Sequence, residues 1–470
     1  MRILLPTGTA TYAVVKKAAS DIDADVVVTG EIASFLPPGQ LTEIVRKGKY
    51  DMVIVSGMST ASFEEVEKET GVPVYRGPRH AADLALVLPL LGTVTLSKTT
   101  PADDLLADIR RREAQLKVYE EERGAGSRYL IRSVKIGGGS RIKVLAEIMD
   151  AHREPDLPGR VKSYFAAGAD IVDLGFGFDA TPQEVTRCFS LLDDIEGPLA
   201  ADSQDPALIR AALCRADIVL SLQEENIPRV GSDVAGSGAC AVVVPGRSSL
   251  EKNIELAESF GITCIIADPL LQPAGSGVVK SMCSFPECSY PLFFGAGNVV
   301  ELLDADSPGA NALLAACAAE LDCAVIFTSE HSDKTSGSVG EMRRATEMMV
   351  LAGDRPYPKD LGTDLFFIKE KRRRREPPVT YTDVIDAAPV PDELICDPCG
   401  NFRVGLEGSE IIAEIRGKAV RGRSWADIFY TILSEGDVSR LDHAAYLGKE
   451  LYKAELALKF GRSFEQDGPF

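Results

Sequence analysis

The sequence predicts an α/β protein: a central (β/α)8 (TIM) barrel, preceded by a Rossmann-like, flavodoxin-like domain and followed by a small α+β domain. Three observations predict it. Eight apolar, β-rich runs recur between residues 142 and 329 at intervals of roughly 18 to 32 residues, each followed by a helical pattern. Residues 1–95 alternate short β-rich runs with amphipathic helical stretches. Beyond residue 355 a Pro-rich, charged stretch leads into β-like runs and a closing helix.

In the first unit, 2–6, 25–29, 51–56 and 72–75 read as strands, with helices at 10–19, 39–47 and 62–70 between them. That alternation argues for a small parallel sheet covered by helices on both faces. Its first loop, Pro6-Thr7-Gly8-Thr9-Ala10, has a single glycine and matches neither GxGxxG nor GxxxxGK[ST]. The domain is expected to hold no nucleotide cofactor, its switch-point crevice being left to an unidentified partner. Residues 96–128 are a connector, with a charged helical stretch at 101–123 ending in Gly124-Ala125-Gly126.

The barrel is expected over 129–354, with strands at 142–148, 170–174, 199–202, 217–222, 240–244, 263–268, 292–295 and 323–329. Eight is the number at which a parallel sheet closes around a side-chain-filled interior. An open doubly wound sheet is the alternative, and it would leave the polar strand ends unconverged. The last unit, 355–470, has β-like runs at 402–406 and 411–415 and a strong helix at 442–460.

Composition narrows the function. Of 470 residues, 45% are apolar and 26% charged, as in a soluble globular protein. Lys and Arg total 51 against 70 Asp and Glu, a net charge of −19, which argues against nucleic-acid binding. The basic run 369–375 reads as a solvated linker or a phosphate contact. No apolar run approaches membrane-spanning length, and the start, Met1-Arg2-Ile3-Leu4-Leu5, stops at Pro6 without a signal-peptide pattern. No membrane association and a cytoplasmic location are expected. Ten cysteines, mostly single and in apolar runs such as Cys240, Cys264 and Cys323, read as small hydrophobes in a reducing compartment. Cys396 and Cys399 form a lone CxxC, with neither a second pair nor suitably spaced histidines to complete a zinc site, so a turn with two incidental thiols is expected.

In such a barrel the ligand sits at the C-terminal face, so polar residues closing the strands are the candidates. In order these are Glu147, Met149 and Asp150; Asp173; Asp202; Ser221 and Gln223; Asp268; Gly295-Ala296-Gly297-Asn298; and Ser329, Glu330 and His331. Several carboxylates around one mouth are costly unless a metal ion or a donor-rich ligand satisfies them. A pterin ring presents an amino group and a ring N–H side by side, which one carboxylate accepts together. Each acid also has a structural reading: Asp268, before Pro269, as a loop cap and Asp202-Ser203 as a helix N-cap.

Residues of about 142–350 resemble the pterin-binding barrel family, which contains dihydropteroate synthase and the methyltetrahydrofolate–corrinoid methyltransferases. The resemblance rests on Gly168-Ala169-Asp170-Ile171-Val172-Asp173-Leu174-Gly175, Pro198-Leu199-Ala200-Ala201-Asp202-Ser203, Ala216-Asp217-Ile218-Val219, Ile265-Ile266-Ala267-Asp268-Pro269 and Gly295-Ala296-Gly297-Asn298. It implies pterin binding by Asp202 and Asp268, with Asp268 taking the amino edge, and it brings Glu147, Asp173, Ser221 and Asn298 to the same site. The whole chain is similar to dihydropteroate synthase-related proteins of methanogenic archaea and some methylotrophs. Its end, Asp442-His443-Ala444-Ala445-Tyr446-Leu447-Gly448-Lys449-Glu450-Leu451 with Gln466-Asp467 following, is part of that likeness. The likeness implies a tetrahydromethanopterin- or tetrahydrofolate-type pterin, a synthase-like transfer to an arylamine with Mg2+ and Asp150 as a metal contact, and a homodimer.

Two departures favour other readings. The Ser-Arg-Lys run of the synthases after strand seven is replaced by Gly297-Asn298-Val299, and the Asn and Thr-Pro-Asp-Ser-Phe loop after strand one by Met149-Asp150-Ala151-His152. Lys280, Lys334 or the basic run would then have to supply charge to a leaving diphosphate. The Gly-x-Gly-Asn arrangement is closer to the methyltransferase pattern, in which an asparagine holds the pterin near its methyl group. A corrinoid would then come from a partner protein, because the chain has no Asp-x-His-x-x-Gly motif. A non-catalytic pterin-binding scaffold is the third reading.

Overall fold

The computed structural model describes residues 1–353, 357–366, 382–389 and 396–468. Strands β1 (Ile3–Gly8), β2 (Ala24–Gly30), β3 (Met52–Val55) and β4 (Val74–Arg76) form a parallel sheet in the order β2-β1-β3-β4. One face packs Ile3, Leu5 and Ile54 with Val15 and Leu84, the other Leu4, Val53 and Val55 with Leu41 and Val66. This is the two-faced parallel sheet expected from near-continuous apolar strands. The connecting helix Ala107–Gly124 ends against a hairpin, β5 (Tyr129–Ile131) and β6 (Val134–Ile136). There Lys135 Nζ donates to the carbonyls of Glu122, Arg123 and Ala125, capping the negative end of the helix.

Strands β7 (Lys143–Ile148), β8 (Ile171–Gly175), β9 (Leu199–Asp202), β10 (Ile218–Leu222), β11 (Cys240–Val243), β12 (Ile265–Ala267), β13 (Leu292–Phe294) and β14 (Cys323–Ser329) close into a parallel barrel in sequence order, β14 pairing with β7. The open-sheet alternative is thereby excluded. Side chains alternate across each strand. Val144, Ala146, Val172, Leu174, Ala241 and Val243 face the surrounding helices. Leu145, Ile171, Ala200, Ile218, Ile266 and Phe327 fill the interior. Ile131 and Ile136 join that inner cluster, so the hairpin plugs the N-terminal end of the barrel.

Two sequence readings need correction at this level. The hairpin itself was not expected, being two strands of three residues. Cys240 and Cys264, expected as independent small hydrophobes, are paired as a disulfide with Cα atoms 4.5 Å apart. The register sets Ala241 opposite Ile265, so the preceding residues of two adjacent strands meet at the barrel floor. The basic run 369–375 lies outside the described residues. No helix among the described residues is long and apolar enough to cross a membrane.

After residue 396 an antiparallel sheet, β15 (Arg403–Glu407), β16 (Glu410–Ile415) and β17 (Lys418–Gly422), packs on the helices Trp425–Glu435 and Leu441–Phe460. The sequence indicated β15, β16 and the last helix but not β17 or Trp425–Glu435. The Cys396/Cys399 turn is ordered by Asp397, whose buried carboxylate accepts from the backbone N–H groups of Cys399, Ser439 and Arg440 and pairs with His443.

Candidate functional site: the carboxylate cluster at the barrel mouth

The same alternation that buries Leu145, Ile171, Ala200 and Ile266 inside the barrel points the residue two further along each strand into its C-terminal end. Those residues are Glu147, Asp173, Asp202 and Asp268. Parallel register sets Glu147 beside Asp173 and beside Ser329, and Gly175 beside Asp202. One carboxylate oxygen each from Glu147, Asp173 and Asp202 lies within 4.8 Å of the others. Room for this comes from glycine: a Cβ on Gly175 would stand 2.6 Å from Glu147 Oε1.

Among the described residues, no Lys, Arg or His side chain forms an ion pair with any of the four acids. Their proton affinities rise accordingly. Burial, then Asp202 and Asp150, pushes Glu147 up to about 7. Burial raises Asp202 to about 6. Burial, opposed by the N–H of Leu270 and reinforced by Asp202, raises Asp268 to about 7. Asp173 is driven well above the usual carboxylate range by burial, then by Asp202 and Glu147, and both its oxygens lack a hydrogen-bond partner. Buried and unpaired polar groups of this kind mark functional sites more often than structural ones.

Above the acids opens a cavity of about 660 Å3 lined by Glu147, Asp150, Phe178, Asp202, Gln223 and Arg229, among others. Asp173 and Asp268 lie beneath it, 0% and 7% exposed. Asp268 also acts as a loop cap, its Oδ1 accepting from Leu270 N–H at 2.8 Å, so the structural reading and the site reading coexist. For Asp202 the N-cap reading fails, because Asp205 caps the following helix by accepting from Ala207 N–H at 2.7 Å.

The other expected residues are placed less centrally. Asp150 is outside the three-carboxylate group. Its backbone is left-handed (φ 48°) and its carboxylate faces Gly177, where a Cβ would come within 2.7 Å. Ser221 does not line the cavity, and its carbonyl accepts from Asn226 Nδ2 at 2.9 Å. Asn298 is exposed on the short helix Gly297–Val300, beside Gly295 and off the cavity wall.

Three contributors went unnoticed in the sequence. Asn226, 3% exposed, accepts from Gln223 N–H and donates to the carbonyls of Ser221 and Gln204, tying two mouth loops together. Phe178 stands fully exposed at the rim, and the run Gly175-Phe176-Gly177-Phe178 was its available signal. Arg229 is the sole Lys or Arg among the cavity's lining residues. The loop after β14 is held by Glu301, which accepts from the hydroxyls of Ser329, Ser332 and Thr335.

Comparisons with known proteins follow the same lines. The uncharacterized protein MJ0107 of Methanocaldococcus jannaschii is 33% identical over 518 aligned positions, covering 99% of this chain and 98% of that protein. Residues 396–467, the C-terminal sheet and its helices, match the family model described as PterinBD-DUF4346. Solved structures of dihydropteroate synthases are similar at low identity. The Yersinia pestis enzyme with a pterine-sulfa conjugate is 16% identical, with TM-score 0.37, over 45% of this chain and 93% of that one. The Burkholderia cenocepacia enzyme complexed with 7,8-dihydropteroate is 21% identical, with TM-score 0.35, over 44% and 89%. The barrel rests on its own closed strand order, and these last likenesses are of fold alone.

Proposed function

The chain belongs to the family of the uncharacterized Methanocaldococcus protein, and on that premise we propose that its barrel mouth binds a pterin. The observation that carries the reading is the meeting of Glu147, Asp173 and Asp202, with Asp268 close enough to feel the Asp202 charge and no basic side chain among the described residues paired with any of the four. A donor-rich heterocycle supplies what the protein withholds, and the cavity above the acids is large enough for a small ligand. The pterin in the name of the family that residues 396–467 match supports the same ligand class.

In this reading Asp268 and Asp202 accept the amino and ring N–H donors from below, and Phe178 covers the ring from the rim. The reaction is a synthase-like transfer that joins a hydroxymethyl-dihydropterin diphosphate to an arylamine within tetrahydromethanopterin- or folate-type metabolism. The C–O bond to diphosphate breaks, the arylamine nitrogen takes the pterin methylene carbon, and the amine proton leaves to solvent. Arg229, which lines the cavity, would meet the departing anion, and a bound divalent ion such as Mg2+ would supply further positive charge. Lys334, one of the cations considered for that task, is bonded to Asp304 at 3.0 Å. Incubating the protein with both substrates and Mg2+ and following diphosphate release tests the reaction, and no release rejects it.

A second reading is favoured by Gly295-Ala296-Gly297-Asn298, which leaves an exposed asparagine rather than a cation after strand seven. There the bound pterin is methylated and passes its methyl group to a corrinoid on a partner protein. Methyl transfer from a methyl-tetrahydropterin to free cobalamin tests it. Tight pterin binding with neither reaction supports a carrier or scaffold role.

A further inference from the structure

We propose that Glu147, Asp173 and Asp202 form a binding site for a hard divalent cation of the Mg2+, Mn2+ or Ca2+ kind, set below the cavity floor. Three features support it. One oxygen from each residue lies within 4.8 Å of the others, and ligand oxygens on opposite sides of a Ca2+ ion at 2.3–2.6 Å stand about 4.6–5.2 Å apart. A Mg2+ ion, with oxygens at 2.0–2.1 Å, needs about 4.2 Å at most, within reach after small rotamer shifts. An all-oxygen, all-carboxylate donor set selects these ions over zinc or copper.

The second feature is Asp173. It is 0% exposed, neither carboxylate oxygen has a hydrogen-bond partner, and it does not line the cavity. A flat bicyclic ligand resting in the cavity touches Glu147 and Asp202, which line it, and leaves Asp173 unsatisfied. A single ion is small enough to sit among all three. The third feature is charge, since no basic side chain among the described residues pairs with any of them. Leaving such charges buried and uncompensated costs several kcal/mol, which a cation removes.

The site is separate from the pterin reading but adjoins it. Asp202 belongs to the trio, lines the cavity and acts on Asp268, so it is the residue the two sites share. Asp150, expected as the metal contact, is not one of the three.

The test uses the full chain, stripped with chelator and free of pterin, titrated with MnCl2 near pH 8. The readouts are loss of the free Mn2+ electron paramagnetic resonance signal and the thermal midpoint. The expected result is one saturable Mn2+ per chain, competed by Ca2+ or Mg2+, with a rise in thermal midpoint. Asp173→Asn and Glu147→Gln should weaken Mn2+ at least about tenfold. Asp173→Asn should also leave the metal-free midpoint unchanged or higher, because it removes a buried charge, whereas a purely structural aspartate would lower it. Asp268→Asn should keep Mn2+ while losing pterin affinity. Absence of saturable binding at millimolar Mn2+, or equal binding by wild type and both trio variants, overturns the proposal, and so does equal loss in Asp268→Asn. The Mn2+ results do not bear on whether a pterin binds, which pterin titration of the metal-free protein reports separately.

Discussion

Asp268 is the residue on which ligand binding should depend most directly. Its carboxylate follows strand β12, is buried, carries one internal hydrogen bond and feels the charge of Asp202, which lines the cavity. Asp268→Asn should weaken pterin binding by about 1–3 kcal/mol, the range for a buried donor left imperfectly paired, measurable by calorimetric or fluorescence titration. Unchanged affinity would remove the residue from the site. Its pH behaviour follows from burial. With the carboxyl pushed up to about 7, only its deprotonated form accepts the amino edge, so affinity should climb as pH rises from 6 to 8, by up to about tenfold per unit below pH 7. The ligand-free fold moves the other way. The folded state holds this proton more tightly than the unfolded chain does, so its contribution to stability is complete at low pH and is lost as pH rises through about 7. In Asp268→Asn both dependences should weaken, and what remains belongs to Glu147 and Asp202, raised to about 7 and about 6. The period-two pattern of each strand was enough to nominate Glu147, Asp173, Asp202 and Asp268 from sequence, because it fixes which side of the sheet a residue faces. It could not say that Asp205 rather than Asp202 caps the next helix, nor that Asn226 turns inward to join two loops, because loop side chains have no period.

At the level of elements, the barrel strands were legible because each is a largely apolar run buried on both faces, while β5, β6 and β17 were not, because runs of three to five residues with exposed faces carry little pattern. The Cys240–Cys264 pair escaped for another reason: it depends on which strands are neighbours, a property of the closed barrel and not of either segment. The junction of β7, β8 and the last barrel helix is tied by Asp170. It accepts from Arg141 Nη2 at 2.5 Å, Arg343 Nη1 at 3.1 Å and Val144 N–H at 2.8 Å, and the two guanidinium groups hold it below the usual carboxylate range despite its burial. Asp170→Ala leaves the buried Arg141 without its carboxylate, while Arg343 keeps Glu347, and should cost about 3–5 kcal/mol in chemical denaturation. A loss under 1 kcal/mol, on the order of a surface pair, would show that water already serves this junction. In the C-terminal unit Asp397 plays the matching part, with its hydrogen bonds to backbone N–H groups and Ser439 drawing its proton affinity down. A depressed carboxylate stabilises above its unfolded pKa and ceases to as pH falls, so Asp397→Asn should lower the melting point of this unit at pH 7 and narrow the gap from wild type on acidification.

The whole molecule is divided by its cores. One pair of clusters draws only on residues 3–109, the barrel clusters only on 129–365, and the C-terminal cluster only on 402–464. Between the first unit and the segment after the barrel's last helix, contact runs through polar joints such as His80 with Asp360 and Arg110 with the Asp360 carbonyl. A small cluster of Ala114, Val118, Leu351 and Leu361 fixes the connecting helix to the last helix of the barrel. Two-state melting requires that cores share cooperative contacts, and apolar continuity is what usually supplies them. Scanning calorimetry of the full chain should therefore resolve more than one transition, with the C-terminal unit separate from the barrel. A ligand seated in the cavity that Glu147 and Asp202 line contacts the barrel alone. Held at 100 times its dissociation constant, it should stabilise that transition by about 2.7 kcal/mol and leave the C-terminal one in place. A single transition that shifts as a block would mean that the three cores are coupled through contacts their apolar clusters do not contain. A ligand-dependent shift of the C-terminal transition alone would move the binding site out of the barrel altogether.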